Sequence, residues 1–269
     1  MSGKKSYKEH LTDIINEFLK TGNEENLMKY LISNSNLPGP RGNLELAEVF
    51  ADVVEDYAGR ESEKIWNLCM KLTQFSPIEA PANNLMEFLV FCGARGVGVF
   101  GSSSAFFQKA LPRLKELASD PRWRTREGVA MAIQSMIEKQ PQKTLQELER
   151  WIENENWLVM RAVAAGVAEP ALLKDKKTAK SALELHKKIF VKMVAARERK
   201  SEIKTLRQGL GYSLSVVVCA IPREGFEYMH ELADTQDADI LWIVKENLKK
   251  NRLVKNFPEE VASTKKLLK

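Results

Sequence analysis

An eight-residue pattern occurs twice in the chain and combines residue types that can do chemistry. The segment DPRWRTRE (120–127) has an acid, a Trp three positions on, a base six positions on and a closing Glu, and DILWIVKE (239–246) repeats that order. A carboxylate can act as a general acid or base, bases bind phosphate groups, and indole rings stack on nucleotides. The pattern is therefore a candidate catalytic site, a candidate binding surface or a structural repeat.

Related copies of the spacing favour a structural repeat. A base follows an acid or a serine by six positions in the pairs Asp120 and Arg126, Glu155 and Arg161, Ser201 and Arg207, and Asp239 and Lys245. Successive bases are 35, 46 and 38 residues apart, which is the range of two-helix solenoid repeats. We expect each acid to cap the helix that follows it and each base to reach the acid of the neighbouring repeat. Stacked repeats would then form an acid–base ladder.

The segments between these positions predict helices. Helical periodicity runs through the chain and strand signals are nearly absent. Residues 109–136 resemble a HEAT repeat, with Pro112 in a first helix, Asp120 in a turn and Arg126 in a second helix. Small residues near the bases would let neighbouring helices approach closely, namely Gly96, Gly98, Gly128, Ala130, Ala162, Ala164, Ala165, Gly209 and Gly211.

These patterns predict an all-α fold, an α-solenoid of HEAT-like antiparallel helix pairs. We expect residues 1–269 to form a single HEAT-like repeat domain. Within it we expect degenerate N-terminal helices in 1–100, clearer repeats in 105–255 and a basic C-terminal tail in 256–269.

Composition narrows the class of protein and of partner. Three cysteines lie far apart, the N-terminus is polar, and the longest apolar runs are far short of the roughly 20 residues that span a bilayer. We therefore expect a cytoplasmic protein that does not enter a membrane. Residues 1–169 carry 20 bases and 23 acids, whereas residues 170–269 carry 21 bases and 13 acids. This asymmetry indicates an anionic partner for the C-terminal part.

The second helices of such a stack line its concave face, so their bases and aromatic residues are candidate ligands for nucleic acid. The predicted nucleic-acid-binding residues are Trp123, Arg126, Trp157, Arg161, Arg207, Tyr212 and Lys245. The alternative interpretation is that the bases belong to the ladder and the Trp rings to the core. The groove would in that case hold a protein or peptide.

Phrases such as RWRTREGVAMAI and WIVKENLKKNRL are similar to the AlkD-like DNA glycosylase superfamily, and the resemblance covers most of residues 80–255. It implies a basic groove for DNA rather than RNA, and a carboxylate that helps to excise alkylated bases. In that family the acid follows a Trp by four positions. Here Trp66 is followed by Met70, whereas Trp123 is followed by Glu127. Trp242 is likewise followed by Glu246, so Glu127 and Glu246 are both possible carboxylates, and Glu127 is the candidate catalytic residue.

Other chemistry is not indicated. The three histidines stand alone in the sequence and are expected to be solvated or to cap helices, so no metal site is predicted, and no cofactor motif occurs. The leading hypothesis is a nucleic-acid-binding HEAT-like repeat protein that resembles DNA alkylation repair proteins but lacks a clear catalytic Asp. A protein–protein interaction scaffold and a DNA glycosylase acting on alkylated bases are the alternatives. The sequence leaves the oligomeric state open.

Overall fold

The computed structural model describes residues 3–153, 156–196 and 201–268. In these ranges the regular structure is α-helical apart from a 3₁₀ segment at Leu172–Lys174, and no β-strand occurs. Within the same ranges, no helix is long and apolar enough to cross a lipid bilayer.

The chain divides into two compact units, residues 1–139 and residues 140–269. Unit 1 contains helices α1 (Gly3–Thr21), α2 (Glu25–Ser33), α3 (Leu44–Ala58), α4 (Ser62–Thr73), α5 (Glu87–Gly101), α6 (Phe107–Leu117) and α7 (Trp123–Lys139). Unit 2 contains helices α8 (Pro141–Glu153), α9 (Trp157–Val167), α10 (Lys176–Ala195), α11 (Ser201–Ala220), α12 (Pro222–Ala233), α13 (Ala238–Asn247), α14 (Asn251–Asn256) and α15 (Pro258–Leu267). The single-domain organisation expected from the sequence stays a prediction.

Alternate helices pack side by side within each unit. In unit 1, α1 packs on α3, α3 on α5 and α5 on α7; in unit 2, α9 packs on α11 and α11 on α13. The even-numbered helices pack on their neighbours in sequence, and α8 also packs on α10. Contact between every second helix is the arrangement of stacked two-helix repeats. The predicted all-α fold of the α-solenoid class is therefore confirmed, and we call the odd-numbered helices of each unit its odd row.

The helices begin where the sequence supplies capping groups. Side-chain oxygens accept hydrogen bonds from the first backbone amides of α3, α9, α10 and α13, and they belong to Asn43, Asn156, Asp175 and Asp237. Pro222 and Pro258 occupy the first turns of α12 and α15, where a missing amide hydrogen costs nothing. Residues 256–269, expected to be a basic tail, thus contain helix α15, and its last turn carries Lys265 and Lys266.

Glycines allow α5 to lie unusually close to its neighbours. The helix is buried along most of its length. A Cβ atom added at Gly98 would lie 2.5 Å from the Cα of Ala132 in α7, and one at Gly128 would lie 3.2 Å from Phe91 in α5. The small residues predicted to permit close approach of adjacent helices do so at these two positions.

Gly98→Ala should therefore destabilise unit 1. Overpacking against backbone atoms costs ~1–3 kcal/mol, which exceeds the ~1 kcal/mol that Ala gains over Gly inside a helix. We expect urea unfolding to show a lower free energy of unfolding and a lower midpoint. Gly59→Ala is the matched control, because no atom of the described residues lies within 4 Å of the added Cβ and the backbone is right-handed helical there. An unchanged midpoint for Gly98→Ala would contradict the close contact of α5 with α7.

A histidine is part of the core of unit 2. His186 in α10 is fully buried, its Nδ1 lies 2.8 Å from the carbonyl oxygen of Ala182, and its Nε2 lies 2.8 Å from Oγ of Ser213 in α11. A carbonyl oxygen can only accept, so Nδ1 carries the proton and the Ser213 hydroxyl donates to Nε2. Burial lowers the pKa of His186 from 6.5 to about 4. The expectation of a solvated or capping histidine is wrong at this position.

The lowered pKa makes the stability of unit 2 depend on pH. Between pH 6.5 and about 4 the unfolded chain binds a proton at this side chain and the native chain does not, so stability is present above pH 6.5 and falls as the pH drops. We expect the loss to approach ~3 kcal/mol, at ~1.4 kcal/mol per pKa unit. The free energy of unfolding can be measured with denaturant at several pH values from 7 to 4.5. We expect His186→Asn to lose this part of the pH dependence, whereas His10→Gln, at an exposed position, should keep it. If the free energy of unfolding changed equally with pH in the wild type and in His186→Asn, His186 would not be the group responsible.

Candidate nucleic-acid interface

The two copies of the eight-residue pattern occupy different places in the fold. Asp120 precedes α7, and its Oδ1 accepts from the backbone N of Arg122 at 2.8 Å. Asp239 lies inside α13, two residues after the capping residue Asp237, and its Oδ1 accepts from Nη1 of Arg207 at 2.6 Å. The first acid is therefore a turn residue and the second is a ladder residue. The two acids hold the same place in the sequence pattern but different places in the fold.

In the first copy, Arg122 ties the turn to a preceding loop. Its guanidinium pairs with Asp120 at 2.6 Å, and both side chains are buried. Its Nη1 donates to the carbonyl oxygens of Phe75 and Ala80, each at 3.0 Å. One planar donor group thus satisfies carbonyls that the loop leaves without helical partners.

Arg124 has a similar role beside Trp123. It pairs with Glu87 at 3.1 Å, with both side chains buried, and donates to the carbonyl oxygen of Gly39. Its guanidinium also lies 4.4 Å from the centre of the Trp123 ring. Trp123 is 46% exposed, so the structure leaves one face of this predicted stacking residue accessible.

Arg126 is buried and donates from Nη1 to the carbonyl oxygens of Asp120 at 2.5 Å and Pro121 at 2.9 Å. Its guanidinium is therefore directed at the start of its own helix. Glu127, the candidate catalytic carboxylate, is half-buried on α7 and interacts with other residues of the chain. Its catalytic role stays a prediction.

The predicted pair on α9 lies in unit 2. Trp157 is the first residue of α9 and is half-buried, directly after the capping residue Asn156. Arg161 is also half-buried, and its Cγ would lie 3.1 Å from a Cβ added at Gly209 on α11. The acid expected to precede it, Glu155, lies outside the described residues.

One rung of the predicted ladder is present between α11 and α13. Arg207 pairs with Asp239, and its guanidinium lies 4.6 Å from the centre of the Trp242 ring. A Cβ added at Gly211 would lie 3.0 Å from the same ring, so the glycine admits the indole between the two helices. The pair is half-exposed, which is where an ion pair adds modest stability and fixes a side chain in place.

Next to this rung, two bases surround an exposed aromatic ring. Tyr212 on α11 is 50% exposed, and its hydroxyl accepts from Nη2 of Arg252 at 2.7 Å. The Arg252 guanidinium lies 4.7 Å, and the Lys250 ammonium 5.9 Å, from the centre of the Tyr212 ring. Lys245 is exposed three positions after Trp242 on α13, and it forms no ion pair with described residues.

We call this surface the basic aromatic face and define it as Arg207, Tyr212, Trp242, Lys245, Lys250 and Arg252. Three of the predicted binding residues belong to it: Arg207 contacts Trp242, Tyr212 contacts Arg252 and Lys250, and Lys245 is exposed on the helix that carries Trp242. Sequence analysis did not assign roles to Trp242, Lys250 or Arg252. A signal was present, because Tyr212 and Arg252 are 40 residues apart, which is one repeat length.

Comparisons with known proteins add little to this geometry. No protein family profile matches the chain, and no curated protein matches it. Among solved structures, a designed armadillo repeat protein aligns with 82% of this chain and 98% of its own length, at 12% identity and a TM-score of 0.28. At that TM-score the similarity supports no conclusion about the fold or the function of this chain.

Proposed function

We propose that this protein binds a nucleic acid through the basic aromatic face of unit 2, without catalysis. The observation that carries the proposal is the half-exposed ring of Tyr212 with the cationic groups of Lys250 and Arg252 beside it. Proteins that bind single strands combine cations that contact phosphates with aromatic rings on which bases stack. The resemblance noted in the sequence favours DNA over RNA as the ligand.

The distribution of charge supports the choice of unit 2. Residues 140–269 carry 24 bases and 18 acids, whereas residues 1–139 carry 17 bases and 18 acids. Lys204 on α11 and Lys245 on α13 are exposed and form no ion pair with the described part of the chain. Free ammonium groups on a positive unit are the residues that exchange counterions for phosphates.

The remaining members of the face have separate roles in the proposal. Tyr212 offers a ring for stacking, and Lys245, Lys250 and Arg252 offer charge to the phosphates. Arg207 is a positioning residue, because its pair with Asp239 holds its guanidinium over the Trp242 ring. Arg126 is not included, because its buried guanidinium donates to backbone carbonyls.

Binding to single-stranded and duplex DNA, measured by fluorescence anisotropy at two salt concentrations, tests the proposal. For each of Lys204→Glu and Lys245→Glu we expect weaker binding. The plot of log K against log salt concentration should also be less steep by about one. Tyr212→Ala should lose ~1–3 kcal/mol of binding free energy on a single strand, the value of one stacked base. Tyr212→Phe should keep that stacking and lose only the bond to Arg252.

Lys176→Glu is the matched charge control, because it makes the same change in unit 2 on the even-numbered helix α10. At that first helical position an acid is favourable, so folding should not suffer. Thermal melting of every variant separates loss of fold from loss of binding. Absence of salt-dependent binding by the wild type, or an equal loss in Lys176→Glu and Lys245→Glu, would reject the proposal. Tight, salt-dependent binding of an acidic peptide without DNA binding would also reject it, in favour of a protein partner.

A further inference from the structure

Unit 1 contains a small polar cavity that the proposed function does not use. It has a volume of about 190 Å³ and lies over α3, α5 and α7, lined among others by Glu48, Asp52, Glu55, Arg95 and Glu138. Because a water molecule takes ~30 Å³, the space holds a ligand about as large as six waters. Four carboxylates, the guanidinium of Arg95 and the ammonium group of Lys139 line one cavity of this size, so we expect a charged ligand.

The guanidinium of Arg95 lies at the floor of the cavity. The side chain is 9% exposed, and its Nη1 donates to the carbonyl oxygen of Met131 at 2.9 Å and to Oγ of Ser135 at 3.2 Å. Its Nε is buried without a hydrogen-bond partner, and no carboxylate of the described residues pairs with the group. A buried cation that lacks an anionic partner is costly. An anion from outside the chain would supply the charge partner that the described residues do not supply within ion-pair distance.

The carboxylates stand at the exposed rim of the cavity. Glu48 pairs with Lys4 at 2.7 Å and Glu55 pairs with Lys139 at 3.2 Å, whereas Asp52 between them forms no ion pair with residues of the described chain. Partial burial, and then the neighbouring charge of Glu48, raise the pKa of Asp52. Both effects disfavour its negative charge and outweigh the opposite effects of Lys8, Lys4 and Arg95, so an ammonium group bound at Asp52 would stabilise the carboxylate.

Asp52 and Arg95 affect the pKa of each other through space, without direct contact. Asp52 and Arg95 line the same cavity, but no ion pair within 4.0 Å joins them in the described structure. A simple anion at Arg95 would share the cavity with four carboxylates, and a simple cation would leave Arg95 without an anionic partner. A molecule that carries both charges would place an anionic group at Arg95 on the floor and a cationic group at the carboxylates of the rim.

We propose that this cavity binds a small zwitterionic amino acid, with its carboxylate at the guanidinium of Arg95 and its ammonium group at Asp52. Hydrogen bonds in which both partners are charged are the strong ones in such a site. The proposal is independent of nucleic-acid binding, since the cavity lies in unit 1 and the basic aromatic face in unit 2.

Calorimetric titration of the full chain with glycine, β-alanine and γ-aminobutyrate tests this at low ionic strength. The three probes carry the same two charges at increasing separation. We expect saturable 1:1 binding for the probe of matching length and an increase in melting temperature with its concentration. Acetate and methylammonium carry one charge each and should give no saturable binding.

Two variants locate the site. Arg95→Met and Asp52→Asn should each weaken binding by about tenfold or more, as expected for loss of one charge-assisted hydrogen bond. Asp52 is exposed, so Asp52→Asn keeps the proposal testable where Arg95→Met fails to fold. Asp13→Asn, at an exposed acid of α1, is the matched control and should bind like the wild type. Lack of saturation for every zwitterion, unchanged affinity in Asp52→Asn, or binding of a lysine-rich peptide alone would each overturn the assignment.

Discussion

The close contact between α5 and α7 is the constraint on which the rest of unit 1 depends. Gly98 meets the backbone of Ala132, and α5 is buried along most of its length against α3, α4, α6 and α7. A glycine inside a helix costs ~1 kcal/mol relative to alanine. Here that cost is offset by the apolar surface that the short interhelical distance removes from water. The same packing places Arg95, which lies between Gly93 and Gly98, beneath the surface of the odd row.

Burial decides what the arginines of this chain do. In unit 1, Arg122 and Arg124 are covered by protein, and each donates to carbonyls of a loop distant in sequence. A guanidinium holds several donors in one plane, so it can serve a loop whose carbonyls have no helical partners. In unit 2, Arg207 and Arg252 lie beside partly exposed aromatic rings. In the proposed interface, Arg252 therefore offers its charge beside Tyr212, and Arg207 holds its place over Trp242 through its pair with Asp239.

The candidate interface was predictable only in part. The base and aromatic positions Arg207, Tyr212 and Lys245 follow from the repeat spacing and helical periodicity. The partner of Tyr212 does not, because Arg252 belongs to a basic run whose side chains point in several directions from a short helix. The same spacing that identified Arg207 also selected Arg126, whose guanidinium is buried. Sequence distance along a repeat determines which helix carries a residue, but it does not determine how deeply the neighbouring loop covers it.

The sequence by itself determined the helical class, the two-helix repeat and the concentration of positive charge in the C-terminal part. Each of these rests on local periodicity or on composition, which do not require knowledge of long-range contacts. The tertiary structure determined the different surroundings of residues that the sequence pattern had treated alike. It placed Asp120 in a turn and Asp239 on a helix face, buried His186 against Ser213, and left Arg95 facing a cavity with no carboxylate of the described residues within ion-pair distance. The surroundings of Asp239, His186 and Arg95 depend on atoms supplied by helices that are 27 to 40 residues away in the chain, and no local pattern records which atoms those are.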